Sequence, residues 1–73
     1  MDGRKIIPEA NAFYYVENNR ILLFFNYEGT VILEAEEDSA DVYTVYNKYG
    51  GWIGSASMSE LIEYIIFINN TTG

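Results

Sequence analysis

The chain contains no cysteine and no histidine. The first absence excludes a disulfide framework; the second removes the usual structural zinc ligands and the commonest general base. Basic residues are also scarce, with four Lys and Arg against eleven Asp and Glu and a formal net charge of −7. That balance opposes non-specific attraction to nucleic acid or an anionic membrane and favours a basic partner, although acidity also serves solubility. No run approaches the ~20 apolar residues of a membrane-spanning helix, and the opening Met-Asp-Gly-Arg-Lys is not followed by the apolar stretch of a secretory signal. The expectation is a cytoplasmic protein, in the host cytoplasm if phage-encoded, with no membrane association.

Seventy-three residues allow one domain. A chain of that size buries only roughly 60% of the surface its unfolded form exposes, and it has neither disulfide nor metal to make up the shortfall. Self-association or tight partner binding is the remaining source of stability. A homodimer is expected.

What the sequence has in quantity is strand-forming and aromatic residues: seven Tyr, four Phe and one Trp. Residues 20–27, Arg-Ile-Leu-Leu-Phe-Phe-Asn-Tyr, hold five apolar residues in a row, too short for a stable helix, and predict a central strand. Alternation places Ile21, Leu23 and Phe25 on one face and Leu22 and Phe24 on the other. Before it, residues 1–11 read as an arm or short edge segment interrupted by Pro8, the only proline, and residues 13–16, Phe-Tyr-Tyr-Val, as a strand. Between the two, Asn18-Asn19 suits a two-residue type I′ turn, which would set Glu17 opposite Arg20. Tyr14 and Val16 would then share a face with Ile21 and Leu23, and Phe13 and Tyr15 a face with Leu22 and Phe24.

After the central strand, residues 27–29 predict a three-residue hairpin loop with Gly29 left-handed, because a two-residue loop would demand positive φ at Glu28. This register puts Val31, Leu33 and Ala35 beside Phe25, Leu23 and Ile21, and Ile32 and Glu34 with Phe24 and Leu22. Residues 36–41 read as a polar connection, residues 42–46 as a fourth strand, residues 47–51 as a turn, and residues 52–54 as a short fifth strand. Ser57-Met-Ser-Glu60 is a capping box that starts a helix at Met58, ending near Asn69 and Asn70. Met58, Leu61, Ile62, Ile65 and Ile68 form its apolar stripe; Glu60, Glu63 and Phe67 lie opposite, leaving Phe67 exposed. The expected fold is α+β: a four- to five-stranded antiparallel meander over residues 12–56, one helix over residues 57–70 packed on one face, and a tail at residues 71–73.

Little here carries chemistry. Hydroxyls and lysines occur in no spacing that pairs a nucleophile with a base, so no catalytic residues are assigned and no enzyme is expected. Gly50, Gly51 and Gly54 match neither a Walker loop nor a dinucleotide fingerprint, and the carboxylates of residues 34–41 lack EF-hand spacing. No cofactor and no metal site is expected. Direct nucleic-acid binding is disfavoured, since stacking aromatics need neighbouring Lys or Arg to hold phosphates. Two features suit protein contacts instead. One is the acidic set Glu34, Glu36, Glu37, Asp38 and Asp41, expected to meet a basic protein partner, with Tyr43, Tyr46 and Tyr49 nearby. The other is an uncovered face of Phe13, Tyr15, Leu22, Phe24 and Ile32, together with Phe67, for self-association or a partner. The function expected is a small non-enzymatic acidic interaction protein that inhibits or modulates a basic, nucleic-acid-handling protein. A phage-type host or defence modulator, a nucleic-acid mimic or an immunity-type inhibitor would have this size and charge. The alternative is a homo-oligomer that binds or sequesters a small ligand.

Overall fold

The computed structural model describes residues 3–71, so the outermost residues of the expected arm and tail lie outside the described residues. Six strands form one antiparallel sheet in sequence order: β1 (Lys5–Ile7), β2 (Ala12–Glu17), β3 (Ile21–Asn26), β4 (Val31–Ser39), β5 (Val42–Asn47) and β6 (Trp52–Ala56). The helix α1 (Met58–Thr71) follows. The α+β meander is therefore as expected, with one strand more. The additional strand is β1, at the sheet edge, in the segment expected as an arm or short edge segment. Pro8 opens a single 3₁₀ turn, Pro8–Ala10, and Asn11 in the left-handed region (φ 51°) closes it, folding Ile7 back against Ala12.

The hairpin between β2 and β3 departs from expectation by one residue. Asn18 and Asn19 both adopt positive φ (53° and 63°), and the Arg20 amide donates to the Glu17 carbonyl (3.1 Å), as a type I′ turn requires. Arg20, however, does not pair with Glu17. Its guanidinium reaches Glu36 (3.1 Å) and its carbonyl accepts from the Glu37 amide (2.8 Å), so β2 resumes pairing at Glu17 with Ile21. A slip of one residue reverses the faces of a strand. Leu22 and Phe24 consequently share the helix-covered face with Tyr14, and Ile21, Leu23 and Phe25 share the uncovered face with Phe13 and Tyr15.

The β3–β4 loop is the expected three-residue one, with Gly29 at φ +90° and its amide donating to the Asn26 carbonyl (2.9 Å). Asn26 Oδ1 accepts from the amides of Glu28 (3.0 Å) and Thr30 (2.9 Å). The same device recurs between β5 and β6: Asn47 Oδ1 accepts from Tyr49 and Gly51 (2.9 Å each), and Gly50 sits at φ +88°. In both hairpins the sixth residue after the Asn, Ile32 or Ile53, falls where the register shifts. The sequence thus carries one hairpin module twice, Asn-x-x-Gly-x-x-Ile, at residues 26–32 and 47–53. The bulge at Ile32 restores Leu33 opposite Phe24 and Ala35 opposite Leu22, so β4 turns these two to the core as expected although β3 is reversed, whereas Val31, expected beside them, pairs with Phe25 on the other face.

The capping box closes as expected: the Ser57 amide donates to Glu60 Oε1 (2.8 Å) and the Glu60 amide to Ser57 Oγ (3.3 Å). A second cap comes from across the fold, where the Met58 amide donates to Asp41 Oδ1 (2.9 Å). At the far end Asn69 Nδ2 donates to the Ala10 carbonyl (2.6 Å). The helix is thus tied diagonally over one face, from the β4–β5 turn to the start of β2. Beneath it Leu61 and Ile65 meet Ala12, Leu22, Phe24, Leu33, Ala35 and Val45, all buried. Met58, Ile62 and Ile68 flank this core and Phe67 points away, 61% exposed, matching the predicted stripe.

Candidate interaction surface

The sheet face opposite α1 is built by alternation. Leu33 and Ala35 are fully buried under the helix, so Glu34 and Glu36 between and beyond them must emerge on the other side. Cross-strand register then places Tyr15, Leu23, Glu34, Tyr46 and Trp52 in one row over β2 to β6. A second row holds Ile6, Phe13, Phe25 and Val31, and a third Glu17, Ile21, Glu36 and Thr44.

An aromatic cluster occupies the β2–β3 side of this face. Phe13 stacks on Phe25 (centroids 5.4 Å apart, planes at 12°), and Tyr15 meets both rings edge-on at 5.8 Å. These geometries suit the ring quadrupoles. The Arg4 guanidinium lies 5.2 Å from the Phe13 centroid, and Phe13 is only 7% exposed beneath its neighbours. Leu23, Phe25 and Tyr46 are half-buried, and Trp52 at the β6 edge is 70% exposed. Glu17, Glu34 and Glu36 interrupt and border this apolar surface.

The predicted surface residues divide accordingly. Phe13 and Tyr15 lie on the uncovered face. Leu22 and Phe24 do not: the Arg20 residue taken into the first hairpin turns both into the core, at 5% and 0% exposure. Ile32, at the bulge, packs against the same core, and Phe67 stands on the outer side of the helix, apart from the sheet face. Ile21, Leu23 and Phe25 take the places expected of Leu22 and Phe24. Trp52 completes the surface. The sequence signal for it was the alternation of β5 and β6, where Tyr46 lies opposite Trp52.

The acidic set is not a loop. Glu36, Glu37 and Asp38 belong to β4, which runs to Ser39 because residues 42–46 pair back along it. Their carboxylates are therefore dispersed. Glu36 pairs with Arg20, Asp38 accepts a hydrogen bond from the Thr44 hydroxyl, and Asp41 (φ 57°) caps α1. Glu37 lies opposite Tyr43, whose phenol is pushed above its usual pKa by burial first, then by Glu37, Asp41 and Tyr14. Glu34 differs from all of these. It is half-buried, and among the described residues its carboxylate has no hydrogen-bond or ion-pair partner.

On the helix side a groove of about 420 Å³ opens between the two Asn-x-x-Gly hairpins and α1. Ile32, Leu33, Ile53, Tyr64 and Ile68 form its apolar wall, and Glu28 and Lys48 stand at its mouth. Among the described residues no three His, Cys, Asp or Glu side chains are grouped to hold a metal, and no helix is long and apolar enough to cross a membrane.

Fold and surface together define a small α+β protein whose sheet is helix-covered on one side and uncovered, aromatic and carboxylate-bearing on the other. No protein-family model, curated protein or solved structure matches the chain.

Proposed function

We propose that the protein is a non-enzymatic interaction module that uses the uncovered sheet face to bind, and so inhibit or modulate, a basic, nucleic-acid-handling protein. The observation that carries this reading is the patch of exposed Tyr15 and half-buried Leu23, Phe25 and Tyr46, crossed by Glu34 and bordered by Glu17 and Glu36. An apolar, aromatic centre with charged residues at its margin is the anatomy of a protein interface, and a net charge of −7 favours a cationic partner. Tyrosine and tryptophan anchors supply contact area at small conformational cost.

Capture from a lysate of the source cell on immobilised protein tests the reading. Wild type should hold a stoichiometric basic protein in low salt and release it as salt rises, while the folded Phe25→Ala variant should not hold it. Equal capture by both proteins would place the partner elsewhere.

The helix-side groove supports a second reading, binding of a small ligand, since its volume falls within the ~300–1,000 Å³ of typical ligand sites. A small molecule released on denaturation and identified by mass spectrometry would favour that reading; a clean spectrum would count against it.

A further inference from the structure

We infer that the uncovered face recognises an arginine side chain of a partner protein, seated on Glu34 between Leu23, Tyr46 and Trp52. The inference rests on the proposed interaction role and specifies its chemistry. Three observations lead to it. Glu34 is the half-buried carboxylate of the central row, with Leu23 on one neighbouring strand and Tyr46 on the other, and Trp52 one strand further out. Directly opposed side chains on adjacent strands stand ~5 Å apart, so one planar group can touch Glu34 and the ring of Tyr46 together. Second, no cation answers this carboxylate among the described residues, whereas Glu36, two residues along the same face, is paired with Arg20. An accessible carboxylate without a cation leaves its oxygens free to accept two hydrogen bonds from a guanidinium delivered by a partner.

Third, the chain's own guanidiniums are committed within it. Arg4 lies over Phe13, and Arg20 is held by Glu36. A second copy would have to give up one of these contacts to supply an arginine, which favours another protein. Arginine suits the site better than lysine: its planar, weakly hydrated guanidinium can meet a carboxylate with two hydrogen bonds while stacking on Tyr or Trp, whereas an ammonium is compact and strongly hydrated.

Trp52 is the only tryptophan, so its emission reports occupancy directly. The test titrates the full chain in low salt with capped tetra-arginine, tetra-lysine and tetra-citrulline peptides. Tetra-arginine should produce a saturable change in Trp52 emission, tetra-lysine should bind several-fold more weakly, and neutral tetra-citrulline should be silent. Glu34→Gln should weaken tetra-arginine binding by about tenfold, the scale of one hydrogen-bonded charge pair, with an unchanged circular dichroism spectrum. Glu63→Gln, which removes the same charge from the exposed side of α1, should change it less than twofold.

Equal losses in the two variants, or equal affinity for arginine and lysine, would overturn the inference by reducing the effect to general acidity. So would sedimentation showing a dimer that Leu23→Ala dissociates, because a second copy would then occupy the face. The proposed role fails separately: a partner still captured by Phe25→Ala defeats the use of this face, whereas a partner lost with Phe25→Ala but kept with Glu34→Gln defeats only the arginine site.

Discussion

Phe24 lies against Tyr14 across the β2–β3 pair, ring centroids 5.0 Å apart, on the face that α1 covers. Its sequence neighbour Leu23 lies on the opposite face, beside Tyr15 and Glu34. Phe24→Ala should therefore cost about 3–5 kcal/mol, as for a buried aromatic, and Leu23→Ala less than half of that. Urea denaturation measures both. Equal losses, or a larger loss at Leu23, would mean that the strand is turned the other way.

Ser57 and Asp41 hold the start of α1 from two sides, one local and one 17 residues distant. Ser57→Ala removes the acceptor of the Glu60 amide and should destabilise by about 1 kcal/mol, while the exposed Ser59→Ala should be nearly neutral. Asp41→Asn keeps an oxygen for the Met58 amide and tolerates positive φ, so it should lose less than Asp41→Ala. Thermal melts of the four variants give the order directly, and equal Ser57 and Ser59 effects would place the helix start elsewhere.

Tyr43 has its phenol pKa raised by burial and by Glu37, Asp41 and Tyr14. A raised pKa in the folded state means that the unfolded chain loses this proton first. The stabilising difference is fully present below the ordinary tyrosine value of about 10 and is lost as pH rises through the higher folded value. Tyr43→Phe should accordingly flatten the fall in stability above about pH 10 while leaving the neutral range little changed. Denaturation midpoints at pH 8 and at several points above 10 would show it; parallel curves for the two proteins would assign the alkaline loss to other groups.

The class of fold was legible because several local signals agree. The unbroken apolar run of residues 21–25, the aromatic and β-branched residues of 13–16 and 42–46, the Asn-Asn and Gly-bearing turns, and the capping box at Ser57 each specify an element without reference to the others. The apolar stripe of α1 was legible for the same reason: Leu61 and Ile65 recur at helical spacing beside polar Glu60 and Glu63, and they are the residues the sheet buries. On β4 the alternation of Leu33 and Ala35 with Glu34 and Glu36 likewise determined which side faces the core.

The orientation of β3 was not legible. Ile21, Leu23 and Phe25 are about as apolar as Leu22 and Phe24, so the pattern gives no preference for either face, and one residue at a turn decides between them. Arg20 tips that choice through contacts with Glu36 and Glu37, which lie some sixteen positions away and come near only once β4 has paired with β3. The same pairing makes the acidic run of residues 36–38 strand where its composition predicts a polar connection, sending Glu36 to one face and Glu37 to the other. The sequence by itself therefore determined the elements, their order and the buried stripe of the helix, because these follow from local periodicity and caps. Which aromatic residues remain uncovered, and which carboxylate is left without a cation among them, was decided by the tertiary structure, because hairpin register depends on contacts between strands that the chain brings together only on folding.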